Sequence, residues 1–526
     1  MTIGEVDPDP SPDTPPVPAL ADRAAACADR LAAADEVLLA SHIDADGLTS
    51  AAVASTALRR AGIPFETTFF DQLDEAAVAK VADTPYDTVW FTDFGSGQLD
   101  AIAAAEREGA FTPVIADHHQ PADAETEYHL NPLLFGLDGA SELSGAGAAY
   151  TVARELEDTA APLADGGAAS VETATITDGD APTTAEAGPT AGPRPPDNRD
   201  LAALAVVGAV GDMQDSDGGL TGANRRIVAE GVAAGVLDEQ TDIALYGRQS
   251  RPLPKLLEYA SDVQIPGVSN DPAGAVSFLE ETGVDLRRDD EGDERDGEWR
   301  RWVDLDGDER ETVASALLRR AVESGVPAAQ VNQLIGTTYV LAGEDPGTQL
   351  RDVSEFSTLL NATARYDRAD VGLAVCLGDR DGALDRAETL LRTHRRNLSE
   401  GIDLVQSEGT ERGDHLQWFD AGDEIRETIV GIVAGMAVGA EGIPRSVPIL
   451  AFAEKTADEL KVSARGTHRL VRRGLDLSAV MSEAATAVDG EGGGHDVAAG
   501  ATIPAGTRDT FLARADELVG EQLDGG

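Results

Sequence analysis

Cysteine is nearly absent from this chain of 526 residues, which contains only Cys27 and Cys376. Two cysteines are too few for a disulfide framework or for a metal site built from thiolates. No apolar run approaches the roughly 18 residues that a membrane-spanning helix needs. The sequence also lacks a charged segment followed by an apolar one at its start, as a secretory signal would have. These absences predict a soluble, cytoplasmic protein.

Lysine is scarce as well, and the charge balance is strongly acidic. The chain has 95 Asp and Glu against 41 Lys and Arg, which gives a net charge of −54. Acid spread over the whole length, with lysine avoided, is typical of a protein adapted to molar salt, where the Debye length is only about 3 Å. An acidic interaction tail is the alternative, but it would confine the acid to one end. We therefore interpret the protein as halophilic.

The distribution of apolar runs predicts an α/β protein of several domains. Residues 1–20 and 158–199 are rich in Pro, Ala, Thr, Gly and acids, which predicts a disordered tail and a surface insertion. Short apolar runs alternate with Ala-rich helical segments early in the chain, as in a parallel sheet covered by helices. The early strands are predicted at 36–40, 64–70, 87–91 and 112–116, and later strands at 371–378, 447–454 and 459–465. The expected domains are 21–262, a mainly helical connection at 263–345, and a C-terminal domain at 346–526.

Carboxylates and imidazoles follow three of the early runs. Ligands bind beyond the carboxyl ends of the strands in an open parallel sheet, so these clusters should converge at one edge. A fourth group follows the apolar segment that ends at Gly211. Oxygen and imidazole ligands suit Mn²⁺ or Mg²⁺, and two such ions bridged by one carboxylate support phosphodiester hydrolysis. The candidates are His42, Asp44 and Asp46; Asp93; Asp117, His118 and His119; and Asp212 and Asp215.

Each cluster also has a plainer interpretation. The DADG segment could be an acidic turn, and Asp93 could simply cap a helix. One of His118 and His119 could be a core histidine and the other a surface one. However, the chain has only eight histidines, and three of them lie in these strand-end clusters. This coincidence favours a metal site.

The motifs resemble those of the DHH phosphoesterases. HIDADG, TDFGSG, ADHH and GAVGDMQD occur in that family's order, and the later KVSARGTHRL and GGGHDVAAGATIP resemble its DHH-associated domain. The segment NPLLFGLDGASELSGAGAAY is similar to archaeal RecJ-like exonucleases specifically. The resemblance implies an N-terminal parallel-sheet DHH domain plus a smaller C-terminal α/β DHH-associated domain. It also implies an active site in the cleft between them.

The resemblance assigns a role to each candidate residue. Asp93 would bridge two ions, His119 would contact the substrate phosphate, and Asp117 would orient the histidines. Asp215 would lie beside the site, with an ordinary acid at the end of a helix as its alternative interpretation. The first ion would be held by His42, Asp44 and Asp93, and the second by Asp46, Asp93, His118 and Asp212. Substrate would be bound by Asn361, Arg365, Ser463, Arg465, Gly493, Gly494 and His495.

The favoured hypothesis is therefore an exonuclease that uses two Mn²⁺ or Mg²⁺ ions to digest single-stranded DNA or RNA from one end, in DNA repair or replication. A phosphoesterase for nano-oligonucleotides, cyclic dinucleotides or phosphorylated nucleotides is the first alternative. The second is a scaffold that binds the GINS replication complex, a role in which ligands would be lost, although all of them are present here. Polarity, nucleic-acid preference, the choice of metal and the oligomeric state stay open at this stage. Arg248, Arg251 and Lys255 are candidates for phosphate contact, with ordinary surface positions as the alternative.

Overall fold

The computed structural model describes residues 15–159, 198–215, 218–260, 263–288, 298–440 and 442–524. The chain divides into two compact units, Met1–Glu388 and Thr389–Gly526. Most of the expected tail and nearly all of the expected insertion lie outside the described residues. The expectation of disorder was wrong for the end of the tail, where Pro18–Leu20 form a short 3-10 helix. Val17 and Leu20 are apolar and almost completely buried, so this segment belongs to the core.

The first unit contains a five-stranded parallel sheet with the strand order β2-β1-β3-β4-β5. Its strands coincide with the four predicted early runs and add one short strand, which confirms the prediction of a parallel sheet. They are β1 (Val37–His42), β2 (Phe65–Phe70), β3 (Thr88–Thr92), β4 (Thr112–Ala116) and β5 (Tyr128–Leu130). The helices of this region are α1 (Ala21–Ala32), α2 (Ala45–Ala61), α3 (Glu75–Ala82), α4 (Leu99–Glu108), α5 (Gly145–Thr159), α6 (Ala202–Gly211) and α7 (Gly222–Ala233).

Small residues let α2, α5 and α6 pack closely. At Gly208 of α6, an added Cβ would lie 2.5 Å from the Cβ of Ala146 in α5 and 2.3 Å from Asp46 Oδ1 in α2. Only glycine leaves room for this approach, since atoms in contact normally lie at about 3.5–4.0 Å. The packing therefore brings the start of α2, the start of α5 and the end of α6 to the edge of the sheet where β1, β3 and β4 end.

The rest of the first unit is mainly helical. A two-stranded antiparallel ribbon of β6 (Leu237–Ile243) and β7 (Ile335–Leu341) flanks a core built around Trp302. The helices are α8 (Leu253–Glu258), α9 (Pro272–Glu281), α10 (Gly307–Glu323), α11 (Ala328–Asn332), α12 (Val353–Ala364) and α13 (Ala369–Cys376). The first unit extends to residue 388, which differs from the expected start of a C-terminal domain at 346.

The strand predicted at 371–378 was wrong, because this segment forms α13. A short, continuous apolar run fits a buried helix as well as a buried strand, so periodicity could not separate them. Tertiary packing decides the outcome. An added Cβ at Gly372 would lie 2.6 Å from Leu48 Cδ1 and 2.6 Å from Thr363 Oγ1, which shows how closely α13 approaches α2 and α12.

The second unit contains a mixed six-stranded sheet with the order β12-β13-β11-β10-β9-β8. Both strands predicted for this part of the chain, at 447–454 and 459–465, are present. The strands are β8 (Glu411–Arg412), β9 (Gln417–Asp420), β10 (Ile449–Glu454), β11 (Glu459–Arg465), β12 (Glu491–Gly494) and β13 (Ala498–Pro504). Its helices are α15 (Glu427–Ala437), α16 (His468–Val471), α17 (Leu477–Thr486) and α18 (Arg508–Asp524), and α14 (Gly382–Glu408) spans the boundary between the units. Among the described helices of both units, none has the length and apolar character of a membrane span.

Candidate metal centre

The connection between β1 and α2 carries the first three candidate residues. His42 is the last residue of β1, Asp44 is the N-cap of α2, and Asp46 lies in the first turn of α2. Asp44 Oδ1 accepts a hydrogen bond from the Gly47 amide at 2.9 Å, which anchors one carboxylate oxygen. Gly47 is required here, because an added Cβ would lie 2.2 Å from the carbonyl oxygen of His42. The turn therefore places all three side chains at the carboxyl end of β1.

Asp93 follows β3 with a backbone φ of 61°, a conformation that is uncommon for residues other than glycine. Its amide donates to the carbonyl of Ala116 on β4 at 3.0 Å, so the strained backbone is held by the neighbouring strand. The side chain is almost fully buried. Strain at a residue that is fixed by its surroundings is characteristic of functional sites.

The ADHH segment continues directly from β4. Asp117 is fully buried, and its Oδ1 accepts hydrogen bonds from the His118 amide and from Nδ1 of His119, at 2.7 and 2.8 Å. Its other oxygen accepts from the Ser96 amide at 2.9 Å. His118 points inward with Nδ1 bonded to the carbonyl of Gly139 at 2.7 Å, whereas the side chain of His119 is 55% exposed. Asp117 thus orients His119 and leaves Nε2 of His118 available to the site.

Two further helices complete the cluster. Asp46 is buried, and its two oxygens accept hydrogen bonds from the amides of Gly145 and Ala146 at the start of α5, at 2.7 and 3.0 Å. Asp212 lies at the end of α6, and its Oδ2 accepts from Nε2 of Gln214 at 2.8 Å. These donors fix the orientation of the two carboxyl groups.

The side chain of Asp93 lies between the other residues. Its Oδ2 is 3.4 Å from Nδ1 of His42, and its Oδ1 is 3.3 Å from Nε2 of His118. Nδ1 of His42 is also 3.2 Å from Asp44 Oδ2. Nε2 of His118 is 3.8 Å from Asp46 Oδ2 and 3.7 Å from Asp212 Oδ2.

Three overlapping groups result, in which the possible ligand atoms lie within 4.8 Å of one another. They comprise His42, Asp44 and Asp93; Asp46, His118 and Asp212; and Asp93, Asp117, His118 and His119. Within the described part of the chain, His42 Nδ1 and Asp93 Oδ1 are buried without a hydrogen-bond partner. Buried polar atoms are normally paired, so these two atoms fit the expectation of a bound cation.

The electrostatics of the cluster point in the same direction. Burial and the nearby carboxylates of Asp93 and Asp212 raise the pKa of Asp46 well above its usual value. Burial also raises the pKa of Asp212, against the opposing effect of His118. Burial alone would lower the pKa of His118, but the surrounding carboxylates outweigh it and raise that pKa well above the usual value. Buried carboxylates that repel one another favour a divalent cation, and oxygen with imidazole donors suits Mn²⁺ or Mg²⁺.

Asp215 does not join the cluster. It lines a separate cavity of about 200 Å³ together with Arg248 and Asp352. Burial, together with the charge of Asp352, raises the pKa of Asp215.

Asn361 stabilises the metal centre indirectly. Its Oδ1 accepts a hydrogen bond from the Ala45 amide at 3.1 Å and so holds the first turn of α2.

The basic residues that we considered for phosphate contact are engaged elsewhere. Arg248 is buried and forms ion pairs with Asp352 and Asp242, so its interpretation as a phosphate ligand was wrong. The guanidinium of Arg251 lies over the ring of Tyr246, 4.7 Å from its centroid. Lys255 is exposed and pairs with Glu258 at 2.7 Å. The sequence does not reveal the pair with Asp352, because that residue lies 104 positions further along the chain.

The substrate-binding candidates of the second unit are brought together by strand register. Ser463 on β11 lies opposite Gly500 on β13, which in turn lies opposite Gly493 on β12. Arg465 lies two residues further along β11 and is half-buried. His495 follows β12 and is exposed, whereas Gly494 has a φ of 138° that disfavours any other residue. No atom of the described residues lies within 4 Å of a Cβ added to Gly493, so this backbone is open to a ligand.

Arg365, the remaining substrate-binding candidate, belongs to the first unit instead, where it is the exposed C-cap of α12.

Sequence reasoning missed the residues that support the candidate ligands. Gln214 donates through Nε2 to both Asp212 and the carbonyl of Gly139, and its Oε1 accepts from Asn224. Gly145 is equally important, because it supplies an amide to Asp46 and approaches Asp93 closely. Both residues are visible in the sequence, Gly145 in the SGAG segment and Gln214 in the MQD segment. Their supporting roles become apparent only from the residues that they contact in the folded protein.

Three family models match this chain. The N-terminal domain of the DHH family matches residues 36–173, the DHH-CID domain matches 245–335, and the DHHA1 domain matches 416–521. These matches show that the chain contains DHH, DHH-CID and DHHA1 domains. This confirms the resemblance that the motifs indicated, and the mixed α/β fold agrees with it.

Individual relatives extend the comparison. An uncharacterized protein of Methanocaldococcus jannaschii is 27% identical over 490 residues, with 92% of this chain and 93% of the relative covered. The crystal structure of RecJ from Thermus thermophilus in complex with Mn²⁺ is 16% identical, with a TM-score of 0.56. The match covers 98% of this chain but only 56% of that RecJ, which is the longer protein. CDC45 of Entamoeba histolytica has 10% identity and a TM-score of 0.59, with 94% of this chain and 97% of that one covered. The two solved structures show a common fold.

Proposed function

We propose that this protein is an exonuclease that uses two divalent metal ions, Mn²⁺ or Mg²⁺, to hydrolyse single-stranded DNA or RNA from one end. The observation that carries the proposal is the placement of Asp93. Its two carboxylate oxygens face two different imidazoles, Nδ1 of His42 and Nε2 of His118, at 3.4 and 3.3 Å. One carboxylate positioned between two groups of ligands suits a pair of bridged ions.

Each residue then has a defined task. His42 and Asp44 would hold one ion with Asp93, and Asp46, His118 and Asp212 would hold the other with Asp93. Divalent ions bound there would supply Lewis acidity and lower the pKa of water, which is the chemistry that phosphodiester hydrolysis requires. His119 projects from the site with Nδ1 bonded to Asp117, so its Nε2 is positioned to contact a substrate phosphate. The fixed tautomer and orientation would make this contact reproducible.

The second unit would hold the nucleic-acid strand. Ser463 and Arg465 offer a hydroxyl and a guanidinium, and the open backbone at Gly493 offers an amide that can approach a phosphate closely. His495 would add a further donor. Asn361 and Arg365 would also contact the substrate, as the resemblance implies, whereas Asp215 lines a separate cavity and has no part in this proposal. The proposal includes a function in DNA repair or replication, and an association with GINS that the resemblance of the motifs implies.

The test is a digestion time course with end-labelled single-stranded DNA and RNA, and with a dinucleotide, in the presence of Mn²⁺ or Mg²⁺. Asp93→Asn keeps the size of the side chain but removes the charge between the two groups. We expect wild type to shorten long strands stepwise and Asp93→Asn to lose about 10²–10³-fold in kcat, an effect typical of a lost electrostatic element.

The controls separate the alternatives. Asp83→Asn removes the same charge from an exposed position at the end of α3 and should keep full activity. Cleavage of the dinucleotide alone would favour the small-substrate phosphoesterase. Metal binding without any cleavage would favour the scaffold, and an active Asp93→Asn variant would contradict the two-ion assignment.

A further inference from the structure

A cavity of about 320 Å³ opens directly beside the metal centre. His42, Asp93 and His119 form part of its lining. The remaining walls come from residues 71–74, which follow β2, from four residues after β3, and from Asp117. The four residues are Phe94, Gly95, Gly97 and Gln98. This volume is at the lower end of the range for ligand pockets, about 300–1,000 Å³. The cavity is therefore of a size for one nucleoside.

The cavity has carboxylates but no basic side chain other than the histidines. Among the described residues that line it, none is lysine or arginine, and both Asp71 and Asp74 contribute to the wall. Asp74 is held in place because its Oδ1 accepts a hydrogen bond from the Ala77 amide at 2.7 Å. A phosphate monoester placed against Asp71 and Asp74, on the side of the cavity away from the histidines, would meet like charge, which is unfavourable. The wall therefore disfavours a second phosphate group next to the one at the metal centre.

The uncharged part of the lining suits a nucleobase. Gln72 and Gln98 carry amides that can both donate and accept hydrogen bonds, as base edges require. Phe94 and Leu73 are largely buried in the core and contribute an apolar edge to the lining. Gly95 has a φ of 110°, which turns the chain sharply between Phe94 and the residues that follow. The cavity thus combines polar recognition with an apolar wall.

We propose that this cavity receives the terminal nucleoside of the strand in its unphosphorylated form, so that the enzyme prefers ends with a free hydroxyl and discriminates against ends with a phosphate. The inference rests on the proposed exonuclease function and adds substrate selection to it. The scissile phosphate lies at the metal centre, the terminal base contacts Gln72, Gln98 and Phe94, and the terminal hydroxyl faces the carboxylates of Asp71 and Asp74.

The experiment compares single strands that are identical except for their ends. Four forms of one oligonucleotide carry a hydroxyl or a phosphate at the 5′ end or at the 3′ end. We expect a phosphate at the end where digestion begins to lower kcat/KM by about tenfold or more. The effect should shrink as KCl is raised, because salt screens the repulsion. A strand whose terminal nucleotide lacks its base should also be cut more slowly.

Matched variants identify the cavity as the cause. Asp71→Asn should bring kcat/KM for strands that end in a phosphate closer to kcat/KM for strands that end in a hydroxyl. Asp83→Asn removes the same charge from the opposite end of α3, outside the cavity, and should leave the ratio of these two values unchanged. The affinity of each strand is measured in parallel by fluorescence anisotropy with Ca²⁺ in place of Mn²⁺.

The outcomes distinguish this inference from the function on which it rests. Equal kcat/KM for both kinds of end, or an equal response of Asp71→Asn and Asp83→Asn, overturns the cavity assignment while the exonuclease stands. If no strand is cut, the exonuclease proposal fails. In that case the affinities measured by anisotropy test the cavity assignment by themselves. Equal affinity for strands that end in a hydroxyl and in a phosphate would overturn the cavity assignment as well.

Discussion

Gly145→Ala should disable the metal centre without removing a ligand. A Cβ at this position would lie 2.4 Å from Oδ1 of Asp93 and 2.8 Å from its Cα. Because contacting atoms normally lie about 3.5–4.0 Å apart, Asp93 or the start of α5 must move by about 1 Å. Asp93 is held by its bond to Ala116, whereas a shift of α5 would weaken the bond from the Gly145 amide to Asp46. Either movement displaces a candidate ligand.

The magnitude follows from this geometry. A misplacement of about 1 Å at a reacting centre costs on the order of 10² in rate. Overpacking adds a loss of about 1–3 kcal/mol in the free energy of unfolding, which leaves the protein folded if its stability is ordinary. We expect Gly145→Ala to bind Mn²⁺ more weakly in a calorimetric titration and to lower kcat about 10²-fold. Circular dichroism would check that the fold is retained.

The control is Gly307→Ala. Gly307 begins α10 just as Gly145 begins α5, but a Cβ there would meet no atom within 4 Å. This change should keep Mn²⁺ affinity and activity and should stabilise the protein by about 0.4–1 kcal/mol, because alanine restricts the unfolded chain. A Gly145→Ala protein with unchanged Mn²⁺ affinity and unchanged kcat would refute the reasoning.

Two further predictions concern stability. Burial, together with the charge of Asp352, raises the pKa of Glu355 to about 7. A carboxyl group with a raised pKa in the folded state contributes stability that is lost as the pH rises from about 4.5 to 7. The free energy of unfolding of Glu355→Gln, relative to that of wild type, should therefore be about 2–3 kcal/mol more favourable at pH 8 than at pH 5. Urea unfolding of both proteins at the two pH values measures this difference, and parallel pH profiles would contradict it. The net charge of −54 predicts that the midpoint of thermal unfolding rises steeply with KCl up to molar concentrations, and a midpoint independent of KCl would argue against halophilic adaptation.

The local signals in this sequence were sufficient for the parallel sheet and for the ligand types. Mostly apolar runs of five to seven residues, each followed by a helical segment, identify β1 to β4, because a buried parallel strand is rich in apolar residues. The carboxyl ends of those strands meet at one edge of the sheet, so the order of runs and ligands along the chain is enough to group His42, Asp93 and His118.

The tertiary structure alone decided how those residues face one another. That the two oxygens of Asp93 point at different imidazoles depends on its positive φ and on the close approach of Gly145, which lies 52 residues further along the chain. The helical state of residues 371–376 and the burial of Arg248 against Asp352 were likewise settled by packing. Periodicity reports only which side of a segment is buried, whereas a contact between distant segments depends on distances that the local pattern does not contain.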